Sequence, residues 1–257
     1  MTLQAKSKTA RLGGILSLVA CLVVAMAGIA PVVVAADNGV SKVNGSVHVA
    51  AGEQTGDVET VNGSIQIDAG ASVGNVETVN GSVRVGDRAT AKALNTVNGG
   101  ISLGADSKAD SLETVNGKLQ VAESAQIAGN VTATNGTLSL ARGASVGGEV
   151  SNVNGAMTLE GAHIGRGLHT STGDITLRAG SRIDGGILVK KTTPSLFNWH
   201  HRNPRIVIGP DVVVTGPLKF EREVDLYVSD RAKVGQIEGA TPVMLTTDAE
   251  GNSIPKQ

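Results

Sequence analysis

Val61-Asn62-Gly63-Ser64-Ile65-Gln66-Ile67-Asp68-Ala69-Gly70-Ala71-Ser72-Val73-Gly74-Asn75-Val76-Glu77-Thr78 is one unit of a repeat, and its frame decides the fold. Its large apolar residues stand at the first, fifth, seventh, thirteenth and sixteenth places. The Asn-Gly pair recurs in that frame as Asn44-Gly45, Asn62-Gly63, Asn80-Gly81, Asn98-Gly99, Asn116-Gly117, Asn135-Gly136 and Asn154-Gly155, at spacings of 18 and then 19 residues. Thr172-Gly173 keeps the frame for an eighth unit. Down the units the fifth column reads Val47, Ile65, Val83, Ile101, Leu119, Leu138, Met157, Ile175, and the seventh Val49, Ile67, Val85, Leu103, Val121, Leu140, Leu159, Leu177. Between them stand His48, Gln66, Arg84, Ser102, Gln120, Ser139, Thr158 and Thr176, all polar. Alternation with period two is the pattern of a strand with one buried face.

A unit this short cannot close a core alone, so its neighbours must close it by stacking. The reading is all-β: a single-stranded β-solenoid of about eight coils of 18–19 residues, followed by a C-terminal capping module. Coils stack at about 4.8 Å, so identical columns form continuous aliphatic stacks inside. The Asn-Gly column is read as a corner, with Gly supplying a positive φ and each Asn amide bonding to the Asn one coil away.

Outward from the repeat, residues 1–36 carry Lys6, Lys8 and Arg11 and then an apolar run from Leu12 to Val34. This reads as an export signal, with cleavage expected after Ala36. The run is also long enough for an uncleaved membrane anchor, and Leu18-Val19-Ala20-Cys21 resembles a lipobox that would lipidate Cys21. Each version sends the rest of the chain, the solenoid repeats of residues 37–191 included, out of the cytoplasm. On the C-terminal side the frame breaks at an insertion, 192–205, resumes loosely over 206–240 as a C-terminal stretch of β-solenoid or cap, and ends in a polar tail, 241–257, expected to be disordered.

The 34 Gly sit largely in the repeat, whereas the two Phe, one Trp and one Tyr all fall between Phe197 and Tyr227. The repeat region has no aromatic platform for a sugar. Its nearest approach to a carboxylate cluster is the column Glu59, Glu77, Glu113, interrupted by Asn95. These are read as a solvated face; the nonapeptide of calcium-binding β-rolls is absent, no metal or cofactor is expected, and no catalytic set is found. Residues 37–189 hold 10 Lys+Arg and 15 Asp+Glu, a net of −5, and residues 190–233 hold 8 and 5, a net of +3. The basic, aromatic end makes Phe197, Trp199, His200, His201, Arg202 and Arg205 the candidate binding residues, for an anionic envelope polymer, a glycan, or the acidic shaft of another copy. Nucleic acid is not expected, and contact with a membrane only through the N-terminal segment.

Ala144-Ser145-Val146-Gly147-Gly148-Glu149-Val150, and the run from Ile175-Thr176-Leu177 through Ala179-Gly180-Ser181-Arg182-Ile183-Asp184-Gly185-Gly186-Ile187, resemble the coils of bactofilins, polymer-forming bacterial cytoskeletal proteins. The repeated Thr-Val-Asn-Gly is similar to bacterial adhesin families built of β-strand repeats. The likeness covers residues 43–188 well and 206–240 loosely. It implies a right-handed β-helix without nucleotide or metal that assembles end to end. An export signal departs from the bactofilin pattern and favours a structural or adhesive role in the envelope over a cytoskeletal one.

Overall fold

The computed structural model describes residues 38–191, 202–247 and 253–255, and every regular element among them is a strand. The coils build three parallel ladders, the third reduced in one coil to a single bridging residue, Thr90. The first ladder begins at Val40–Asn44 and continues through Val58–Asn62 and Val76–Asn80 to Ile237–Glu238. The second begins at Val47–Val49 and holds the alternating segments, such as Ile65–Ile67 and Val83–Val85. Two-residue strands such as Ser72–Val73 and Gln126–Ile127 form the third.

Register follows the sequence frame: Val58 pairs Val76 and Asn62 pairs Asn80 in the first ladder, and Ile65 pairs Val83 in the second. Stacking is therefore in phase, and the interior fills with columns of Val, Ile, Leu and Ala, nearly all fully buried. At roughly 25 cal/mol per Å² of apolar surface, these columns supply the main driving force for folding. The polar residue between each inward pair stays at the surface.

One column goes against the expected pattern. In the first ladder Thr60, Thr78, Thr96 and Thr114 point inward and are buried, while Val79, Val97 and Val115 after them lie half-exposed on the outside of the bend. The threonines are satisfied there. Their hydroxyls donate to the carbonyls of Gly45, Gly63, Gly81 and Gly99 at 3.0–3.1 Å, each the corner of the preceding coil. A buried hydroxyl with a partner escapes the desolvation cost of an orphaned one, and here it ties two coils together.

The Asn-Gly corner forms the expected ladder: Asn62 donates to Asn44, Asn80 to Asn62, Asn98 to Asn80, Asn116 to Asn98 and Asn135 to Asn116, at 2.9–3.1 Å. The role expected of glycine there needs correction. Among the seven corner glycines only Gly45 and Gly155 have positive φ. The others are glycine because coils approach too closely for a side chain: a Cβ on Gly63, Gly81, Gly99, Gly117 or Gly136 would run into the carbonyl oxygen of the corner glycine one coil before.

Positive φ belongs to the next corner, between the second and third ladders. Gly52, Gly70, Arg88, Asp106, Ser124 and Gly143 all take it, with φ from 55° to 74°.

The solenoid runs to about eleven coils rather than eight. Residues 205–238 form no separate capping module; they continue all three ladders, with Arg205–Ile208 on Ile175–Arg178 and Leu218–Phe220 on Ile187–Val189. Phe220 fills the inward column that Thr60 began. The segment expected to be a disordered tail supplies a strand, Val243–Thr247, parallel to Asp225–Ser229, and Ser253–Pro255 closes this edge by pairing antiparallel to it. Leu245 is buried, which gives the strand its anchor. Residues 1–37, with the expected export signal, lie outside the described residues.

Candidate functional site

The insertion leaves and re-enters at the corner that Asn-Gly occupies in earlier coils, between Ile187–Val189 of the first ladder and Arg205–Ile208 of the second. Phe197, Trp199, His200 and His201 lie outside the described residues. The two stems of the insertion are described, and both are fixed to the rod.

On the outgoing side the backbone N–H of Lys191 donates to Glu221 at 3.3 Å. On the return, one carboxylate holds two residues: Asp174 Oδ2 accepts from the Arg202 guanidinium at 2.7 Å, and Asp174 Oδ1 from the Arg205 backbone N–H at 2.8 Å. The Arg205 guanidinium lies over the Tyr227 ring, 5.0 Å from its centroid, a cation–π geometry. Arg222 adds a bond to the Ser171 carbonyl at 3.2 Å. The hydrogen bond from Arg202 to Asp174, reinforced by the charges of Asp174 and Asp225, holds the guanidinium further on the protonated side than usual.

Asp174 was not among the residues that sequence reasoning selected. A signal was present, since the place after the corner Gly reads Ser46, Ser64, Ser82, Gly100, Lys118, Thr137, Ala156 and Asp174. An acid enters this column only in the coil that receives the basic stem. Arg202 and Arg205 are therefore partly engaged within the chain, Arg202 by Asp174 and Arg205 by Tyr227. What the corner offers chemically is a segment presented on a rigid base, with cationic stems whose guanidinium edges still reach solvent; Arg202 is 70% exposed.

Elsewhere the surface is organised by column. Glu59, Glu77, Asn95 and Glu113 stack in register, and the Asn95 amide donates to Glu77 at 3.3 Å, so the amide separates carboxylates that would otherwise repel one another. A shallow depression on this face is lined by Asn95, Glu113, Asn130, Thr132, Glu149 and Lys190. On the third ladder Asp184 bonds to His163 and Arg182, each at 2.7 Å. The His163 contact, helped by Arg182 and opposed by partial burial, holds the Asp184 carboxyl below the ordinary aspartate range. His169 meets Glu149, and His48 meets Asp68 at 3.3 Å. Each of these histidines thus faces a carboxylate on another strand or turn, and among the described residues no three His, Cys, Asp or Glu side chains gather as a metal site.

No family model, curated protein or solved structure matches the chain.

Proposed function

We propose that the protein is an exported, non-enzymatic, bactofilin-like scaffold of the bacterial envelope that self-associates through the end of its solenoid. The observation that carries this reading is the single parallel register kept over about eleven coils, which makes a stiff rod roughly 50 Å long with an end that can template further pairing. Among the described residues, Val40–Asn44 and Val47–Val49 are paired on one side only. Their outer backbone groups are the surface offered to a second copy. At the opposite end Ser253–Pro255 crosses the second ladder antiparallel, so the two ends are not equivalent and the N-terminal edge is the more open of the two. Sedimentation velocity and negative-stain microscopy of the exported protein at micromolar concentration test this: oligomers or filaments are expected, and a strict monomer overturns it. Mass spectrometry of the native N-terminus, expected at Asp37, tests export with cleavage.

A second reading, a surface adhesin or glycan-binding module, draws support from the stems. Four contacts, at Glu221, twice at Asp174, and at Tyr227, fix the base of a segment that contains Phe197 and Trp199. Stems held in place in advance lower the entropic cost of binding that engages them. Trp199→Ala is expected to weaken binding to isolated envelope polymers; unchanged binding removes this reading.

A further inference from the structure

We infer that Asn154 is a site of spontaneous covalent modification, a deamidation hot spot, while the corner ladder protects the other Asn-Gly pairs of the repeat. The seven pairs share the reactive dipeptide, and they differ in what the structure does to the nitrogen that would react.

The chemistry needs the backbone nitrogen of the following Gly. Having lost its proton to a solvent base, that nitrogen bonds to the side-chain carbonyl carbon of Asn, the bond from that carbon to the amide nitrogen breaks, and ammonia leaves. Water then opens the resulting succinimide at either carbonyl, giving aspartate or isoaspartate. No oxidant or reductant is involved. Glycine favours the step because no Cβ hinders the approach of the nitrogen.

In six of the seven pairs this nitrogen is held. Gly45, Gly63, Gly81, Gly99, Gly117 and Gly136 donate their N–H to the backbone carbonyls of Asn62, Asn80, Asn98, Asn116, Asn135 and Asn154, at 2.8–3.1 Å. Proton loss then costs a hydrogen bond, and the nitrogen cannot swing toward its own side chain. Asn62 through Asn135 are restrained again, because each side-chain amide donates to the Asn one coil before.

At Asn154-Gly155 both restraints are missing. Among the described residues the Gly155 N–H has no acceptor, and the Asn154 amide nitrogen donates to none; its oxygen only accepts from the Thr172 hydroxyl at 3.2 Å. Asn154 is exposed. The buried residue two places earlier accounts for the difference. In the column of Thr60, Thr78, Thr96 and Thr114 this coil carries Asn152, whose longer side chain donates to both the Gly136 carbonyl, at 2.9 Å, and the Gly155 carbonyl, at 3.1 Å. Gly155 takes φ +124°, unlike Gly63, Gly81, Gly99, Gly117 and Gly136, and among the described residues its N–H makes no bond to the next coil. Modification here removes no rung of the ladder. At Asn98 it would set a carboxylate against the Asn80 oxygen.

The experiment is peptide mapping by mass spectrometry after the intact protein has been incubated in mildly alkaline buffer. Asn98, Asn116, Asn135 and Asn154 fall on separate tryptic peptides, so each reports its own rate. Asn38-Gly39, a further pair outside the repeat frame, lies exposed with Asn38 at positive φ and, among the described residues, no acceptor for the Gly39 N–H, and serves as the unprotected reference. Asn154 is expected to deamidate about ten-fold faster than Asn98 and Asn116 in the native protein, and at their rate in denaturant. Asn152→Thr, which restores the residue of the earlier coils, is expected to bring Asn154 down to the ladder rate. Equal native rates at the four positions overturn the inference. So does an Asn154 excess that persists in denaturant, since it would then come from sequence alone.

Discussion

Two corners of each coil use glycine for different physical reasons. At the Asn-Gly corner the limit is space: the backbone has ordinary φ at Gly63 through Gly136, but the carbonyl of the previous coil occupies the position of a Cβ. At the following corner the limit is the dihedral. Gly52 and Gly70 stand at φ +74° and +71° with nothing within 4 Å of an added Cβ. The consequence is visible in the sequence. No side chain replaces glycine at the crowded corner in the seven Asn-Gly units, whereas Arg88, Asp106 and Ser124 occupy the open corner, because a left-handed residue costs only about 1–2 kcal/mol where nothing collides with it.

The largest expected effect tests the crowded corner. Gly99→Ala drives a methyl into the Gly81 carbonyl, and the stacked coils can relieve it only by separating there. A loss of about 3 kcal/mol is expected from overpacking of this kind. The guanidinium midpoint measures it. If Gly99→Ala costs no more than an alanine at the open corner, the distinction between space and dihedral fails. Next in size is Asn98→Ala, which removes two rungs, the bond donated to Asn80 and the one accepted from Asn116. Because the ladder is exposed to water, about 1.5 kcal/mol in total is expected. Asn98→Asp should fall on the same side, as a carboxylate cannot donate to Asn80.

The stacked columns of Val, Ile and Leu and the Asn ladder are legible in the sequence because each repeats in frame and each has one physical solution. The position of the left-handed turn is not, because its column mixes Gly70, Arg88, Asp106 and Ser124, and composition gives no sign of a shared φ. The inward Thr column is hidden for a related reason: Val79 beside Thr78 looks like the core residue, yet Thr78 is the buried one and Val79 lies half-exposed. The coil count falls short because the coils after Thr172-Gly173 lose the corner dipeptide, to the insertion and to Glu221-Arg222-Glu223. The strand Val243–Thr247 is concealed by its polar surroundings, although Leu245 carries the apolar side chain that seats it. At the candidate site the basic stems were readable and their anchor, Asp174, was not, since a single acid in one column acquires meaning only when the insertion returns beside it.

The smaller effects belong to the open corner and have opposite signs. Gly70→Ala meets no neighbour and pays only the left-handed dihedral, so a loss of about 1 kcal/mol is expected, well below that of Gly99→Ala. Arg88→Gly reverses the change. Arg88 sits at φ +55° and its N–H donates to the Ala105 carbonyl at 2.8 Å, a bond that glycine keeps. Relief of the dihedral is worth about 1 kcal/mol, and the greater freedom of glycine in the unfolded chain takes back part of it. A net gain of about 0.5 kcal/mol is expected, read as a rise in the guanidinium midpoint. A fall would mean that the Arg88 side chain itself holds the corner, and the open corner would then be open only to a Cβ.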